Sequence, residues 1–397
     1  MTKTILSLLF ITLIFAFSGK AQTLAPTPTP MPTPPPLIPE AIPIANPATI
    51  NRSFNDKTAP EAEARLKKIP DAQQTDADVN IRIELIEYYE RKETPAAKTA
   101  TQEHRLWLVR NRPEKMYYRE LGWWTSEEDA KNPDYIALKN EWLRQISLKK
   151  TNDKIRLSAA AFLDDLDAPL AEKILREGQR LNPNLYEYSE HLIKLYEIGV
   201  EGAISDYESR EANGKETEID AALRRVLAEG EKGLTLISKD EARSNTSEHF
   251  DLLVRLTEVA LDLNELKKAR AFAETVLSGI RNEANEDKSS CCWHDTEKAI
   301  YYGSNLMGRV ALREGNTAKA KEYLLASVIF DPEAEIELGD IKLDLAAELL
   351  LKGEKQVVLD YLARVEKLAT DANIKTLRRW QRMVRRNSIP YWEDDSY

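Results

Sequence analysis

The densest group of reactive side chains is Cys291-Cys292-Trp293-His294-Asp295, where two sulfurs, an imidazole and a carboxylate fall within five residues. A zinc or thiol centre needs donors of these types, spaced so that they converge on one point. Adjacent cysteines lack the paired spacing of zinc ligands, and the chain holds only two cysteines and four histidines to build from. A bridge between neighbours is strained as well, since consecutive α-carbons sit about 3.8 Å apart and ordinary disulfides need about 4.4 Å or more. The pattern favours incidental loop cysteines. A metal- or thiol-dependent centre on Cys291, Cys292 and His294 is the alternative; no metal ligand set and no cofactor is expected.

Other chemistry is no better supported. Ser147-Leu148-Lys149-Lys150 has the serine-to-lysine spacing of penicillin-recognising enzymes, without their companion motifs. Zinc-protease helix, phosphate loop and nucleophile elbow are missing from the sequence. Asp164, Asp165 and Asp167 lie between two helical stretches, where carboxylates serve as turn and cap residues, and the glycine and distal glutamate of a calcium loop are lacking. Lys375, Arg378, Arg379, Arg382, Arg385 and Arg386 form a basic cluster on one helical stretch. It reads as a solvated face, with contact to an anionic membrane surface or nucleic acid as the alternative, the second weakened by export and the acidic whole. A non-enzyme is expected.

The elements that would position any site are helices. From Tyr301 to Pro332, Gly308, Ala311, Gly315, Ala320, Leu324, Ser327 and Pro332 stand at the spacing of two short helices packed face to face. Leu306, Val310 and Arg313 share one face, Met307, Ala311 and Gly308 a smaller one. Gly315 suits the left-handed conformation of a helix end, and Asn316 and Thr317 offer turn and cap chemistry. A single pair cannot bury its apolar face, so neighbours of similar period are required. They are present. Ala159, Phe162, Ala171, Leu175, Gly178 and Pro183 form a unit from Asn152, and the next opens at Tyr186, 34 residues on. A third begins near Phe250 with Leu253, Leu256, Ala260, Ala269 and Ala273, and a fifth, after the Tyr301 unit, uses Leu345, Ala346, Leu349, Gly353, Leu362 and Val365.

These small residues at the crossings, with the closing proline and the 34-residue step, resemble the tetratricopeptide repeat. Gly308-Arg309-Val310-Ala311-Leu312-Arg313-Glu314-Gly315-Asn316, Leu345-Ala346-Ala347-Glu348-Leu349-Leu350 and Val357-Val358-Leu359-Asp360-Tyr361-Leu362 narrow it further. They resemble a group of uncharacterised exported bacterial helical-repeat proteins, a likeness that implies compartment and scaffold and supplies no catalytic residue. The expected fold is all-α, a right-handed α-α superhelix (a TPR-like solenoid).

Within it, helices are expected at Ala59–Lys68, Val79–Arg91, Ala96–Arg110 and Tyr135–Leu148, as irregular elements of 51–150 before repeats at about 152–370. Aromatics at Met116–Trp124 read as a buried fold-back. A polar insertion is expected at Glu201–Lys215, a helix at Ile219–Ile237, a loop at Asn282–Thr296 and a terminal cap helix at Ile374–Arg386 with Ile374, Leu377, Trp380 and Val384 as its apolar stripe.

Ahead of this domain (51–397), Met1–Ala21 has the basic start, apolar core and small residues of a secretory signal. Residues 22–50 hold ten of the 19 prolines and read as a disordered, extended spacer rather than a docking motif. An exported bacterial protein, periplasmic or extracellular, without an integral membrane span in the mature chain, is expected. The net charge of −10 falls to −12 when Lys3 and Lys20 leave with the signal, which opposes nucleic-acid binding. The expected work is non-catalytic: binding an unknown protein or peptide in a concave groove lined by the first helix of each unit. Counting from the unit starts, Arg156, Glu190, Lys194, Glu258, Tyr302, Asn305 and Arg309 point into that groove, with Tyr302 and Arg309 as its centre.

Overall fold

The computed structural model describes residues 54–92, 94–115, 124, 126, 128–209, 216–240, 243–244, 246–278, 295–328, 342–388 and 390; of residues 202–209, 216–217, 295–297 and 371–372 it describes the backbone alone. All belong to the unit Ser53–Tyr397. The signal, the proline-rich segment, the aromatic stretch before Trp124, Pro332 and the Cys291-Cys292-His294 group lie outside the described residues.

Fifteen α-helices are present among the described residues: α1 Thr58–Lys68, α2 Asp76–Glu90, α3 Pro95–Asn111, α4 Pro133–Leu148, α5 Asp153–Leu163, α6 Ala168–Leu181, α7 Tyr186–Ser209, α8 Glu216–Ile237, α9 Ser247–Asp262, α10 Leu266–Ser278, α11 Asp295–Arg313, α12 Thr317–Ala326, α13 Asp344–Leu351, α14 Lys355–Val365 and α15 Asp371–Arg385. Every helix packs on the next in sequence from α1 to α15. The odd-numbered first helices of successive units also meet, α5 with α7, α9 with α11 and α11 with α13, as do the second helices α12 and α14. The protein is therefore all-α, with helices paired in sequence as in a helical repeat.

Local chemistry explains the boundaries. Gly315 has φ +82°, and the amides of Gly315 and Asn316 donate to the carbonyls of Leu312 and Ala311. That pair of bonds satisfies the last carbonyls of α11 and reverses the chain into α12, whose start is capped by the Asn316 side chain on the Lys319 amide. Gly353 repeats the motif after α13, and Asn264, at φ 56°, repeats it after α9. Asparagine tolerates the left-handed region, so a search for glycine alone misses the third instance.

The early helices begin one to three residues before the apolar spacing suggests, because caps set their starts. Thr75 and Asp78 form a reciprocal capping box on α2, and Thr94 and Asn132 accept amide hydrogen bonds ahead of Pro95 and Pro133. The expected polar insertion is corrected: residues 201–209 continue α7, which at 24 residues matches the 22 of α8 against it. That stretch is polar but contains no proline, so nothing local ends the helix. The expected 282–296 loop likewise gives up Asp295 and Thr296 to α11.

Packing follows the stack. The main apolar cluster runs from Val79 to Val310 and a second from Ala311 to Val384, with Tyr323 against both. Glycines sit at the crossings: Tyr188 fills the space at Gly178, Leu256 that at Gly230 and Leu345 that at Gly308, while the backbone of Leu277 crosses at Gly303. Leu377, Trp380 and Val384 of α15 close the end of the second cluster, with Ile374 partly buried beside them.

Candidate functional site

The seven groove residues divide into three groups. Arg156 and Asn305 are buried, each 4% exposed. Arg156 donates to the Lys150 carbonyl and Asn305 Nδ2 to the Tyr301 carbonyl at 3.0 Å, so both brace backbone rather than face solvent.

Glu258, Tyr302 and Arg309 come together where α9, α11 and α13 meet. Arg309 Nε lies 2.9 Å from Glu348, which Arg313 also reaches at 3.4 Å, and Lys342 Nζ lies 3.8 Å from Glu258. The Tyr302 ring meets Phe250 edge-on and has the Lys298 and Lys342 ammonium groups 5.9 and 5.7 Å from its centroid. Burial pushes the Glu258 carboxyl up, against the pull of Lys342 and Arg309. For Arg309 burial works to lower the pKa, but Glu348 outweighs it and holds the guanidinium above its ordinary value. Charges so matched tie three helices together, and the cationic head of Arg309 is already engaged.

Glu190 and Lys194 lie elsewhere, in a groove of about 1190 Å³ between α5 and α7. On α5 the lining residues Lys154, Leu157 and Ala161 recur at helical spacing, with Asp165 in the turn that follows; on α7 Glu187, His191, Lys194 and Ile198 do so. The two rows face each other because α5 and α7 are first helices of neighbouring units. Eleven residues at about 1.5 Å each make the groove roughly 16 Å long. Leu157, Phe162, Leu185 and Ile198 give it apolar wall together with Trp124, whose ring meets the Arg105 guanidinium at 5.8 Å and packs on Tyr135, which stacks on Phe162 at 5.3 Å.

Its polar groups are predominantly acidic. Lys194 is bound to Glu190 at 2.6 Å, Glu187 holds Arg243 at 2.7 Å, and Asp153 accepts from Tyr188 at 2.6 Å. The second Glu187 carboxylate oxygen is buried without a partner. Burial, then Lys194, pulls the His191 imidazole below its ordinary value, leaving it neutral at pH 7. Burial, with Asp165 beside it, pushes the Asp164 carboxyl up to about 7. Asp164 is at the C-terminal cap of α5 and Asp167 at the N-terminal cap position of α6; Asp167 makes no side-chain cap and pairs with Lys139 instead.

The spacing of α5 and α7 residues was readable, but the groove needed the partner helix and Trp124, which the chain brings from α4's side of the stack. All six basic residues of the terminal cluster are exposed, Arg378 pairing with Glu366 at 2.7 Å. Among the described residues no helix is long and apolar enough to cross a membrane, and no group of three or more His, Cys, Asp or Glu side chains is arranged to hold a metal ion.

These features define an all-α protein of sequentially packed helices with an open groove on the first helices of two units. No family model matches the chain, and no curated protein matches it.

Proposed function

We propose that this chain is a non-catalytic, exported scaffold of the tetratricopeptide-like kind, a right-handed superhelix whose first helices take up an extended peptide or a protein segment. The observation that carries the reading is the α5–α7 groove: it lies on the helices that the repeat register assigns to the inner side, and it includes Glu190 and Lys194. A roughly 16 Å groove accommodates about five residues of extended chain. With Arg309 engaged by Glu348, the α5–α7 groove takes the place of Tyr302 and Arg309 as the centre of contact.

The test is selection of peptides from a displayed random library by the mature chain. Selected peptides should compete for one site and lose at least about 1 kcal/mol of affinity on Glu190→Gln with Ile198→Asn. Alanine at Tyr302 and Arg309 should leave affinity unchanged. Failure to enrich any peptide rejects the reading.

The exposed basic face of α15 favours a second reading, association with an anionic envelope surface. Salt-sensitive binding to anionic vesicles, lost when the arginines become glutamine, is its expected signature. The third reading, a metal or thiol centre at Cys291, Cys292 and His294, is tested by metal analysis and thiol counting on the purified protein.

A further inference from the structure

The groove between α5 and α7 is asymmetric in charge. Among the described residues six carboxylates line it against two lysines, and one of those, Lys194, is paired with Glu190. Asp164 and Asp165 stand at the end where α5 terminates, where the unpaired carbonyls of a helix add negative potential. Among the described residues no cationic side chain pairs with either. Trp124 lines the same groove as apolar wall, its ring already meeting the Arg105 guanidinium at 5.8 Å. Farther along, the buried, partnerless oxygen of Glu187 is an acceptor without a donor. Between them Leu157, Ala161 and Ile198 provide wall for apolar side chains.

We propose that the groove selects an extended polypeptide segment carrying a lysine or arginine, with the cationic head at Asp164 and Asp165. This rests on the scaffold reading and gives the partner a chemistry. A lone cation leaves most of the 1190 Å³ unfilled, and a nucleic acid brings phosphates to an acidic wall. A basic, otherwise apolar peptide matches both the length and the charge.

The probe is a set of peptide pools of about nine residues, random except for a central lysine, arginine, norleucine or glutamate, bound to the mature chain. Lysine and arginine pools should be retained about fivefold more than norleucine, the worth of a partly exposed ion pair. The preference should vanish in Asp164→Asn with Asp165→Asn. It should persist in Glu274→Gln with Glu322→Gln, which removes two carboxylates from α10 and α12. Equal retention of lysine and norleucine pools overturns the cation selectivity while leaving the scaffold standing. A preference that survives the Asp164 and Asp165 changes overturns the assigned seat, and retention of no pool rejects scaffold and selectivity together.

Discussion

Glycine at position 303 is where α11 crosses the end of α10 most closely. A β-carbon added there falls 2.5 Å from Leu277 Cα and 2.7 Å from both its Cβ and its amide nitrogen. These are mostly backbone atoms, so no rotamer change relieves the clash, and the two helices must separate by about 1 Å to restore ordinary contact. Overpacking of this kind costs about 1–3 kcal/mol, while alanine gains up to about 1 kcal/mol over glycine in a helix interior. Gly303→Ala should therefore destabilise by about 1–2 kcal/mol. Gly308→Ala meets the tip of Leu345 at 2.2 Å, a flexible methyl, and then Tyr323 Cβ at 3.2 Å. Its net cost should be about 0–1 kcal/mol, rising to about 3 kcal/mol for Gly308→Leu. Gly199 is exposed, with nothing within 4 Å of an added β-carbon, so Gly199→Ala should gain about 0.5–1 kcal/mol. Urea unfolding followed by far-UV circular dichroism gives the order. A Gly303→Ala midpoint at or above that of Gly199→Ala refutes the close α10–α11 crossing, and an unchanged Gly308→Leu midpoint refutes the register of the central unit.

Three further outcomes are expected. Glu229 is buried between Arg176 at 2.5 Å, Ser189 at 2.9 Å and Gln179; burial raises its pKa, but these donors outweigh that and hold it below the ordinary value. Its contribution is present above the unfolded-state pKa and lost as pH falls through the lower folded value, so Glu229→Gln should flatten the acid limb of the melting temperature; Glu229→Ala should cost about 2 kcal/mol at neutral pH. Asp164 has the opposite sign: its carboxyl is raised to about 7, so its contribution is present below the unfolded-state value near 4 and lost as pH rises through 7. Carboxyl-carbon NMR should show titration near 7, and Asp164→Asn should abolish the decline in urea midpoint across that window; titration near 4 refutes the burial argument. A chain that starts at Asn51 should melt with the mature chain, since proline runs lack the donors and periodic apolar face needed to dock.

Most of the helix pairing could be read from the sequence, because it rests on local chemistry. Gly315, Gly353 and Asn316 act within a turn of their own position, and the small residues at Ala159, Ala171, Gly178 and Gly308 mark crossings wherever the partner helix comes from. The beginnings of α2, α3 and α4 were misjudged because caps, not apolar spacing, choose the first residue. The end of α7 was misjudged because polar residues without proline are equally compatible with loop and helix until α8 lies alongside.

The site was less legible, for a different reason. Position in a repeat specifies which way a side chain leaves its helix, and Glu190, Lys194, Tyr302 and Arg309 could be named on that basis. Whether the side chain then meets solvent, a carbonyl or a charge depends on residues far away in sequence. Arg156 turns to the Lys150 carbonyl, Asn305 folds onto Tyr301, and Arg309 is taken by Glu348 from another unit. Asp164 and Asp165 stand in the turn after α5, as their spacing suggested, and only the packing of α7 puts them on the wall of a groove. Helix periodicity is local and was determined by the sequence itself; burial and electrostatic pairing are sums over neighbours, and only the tertiary structure decided them.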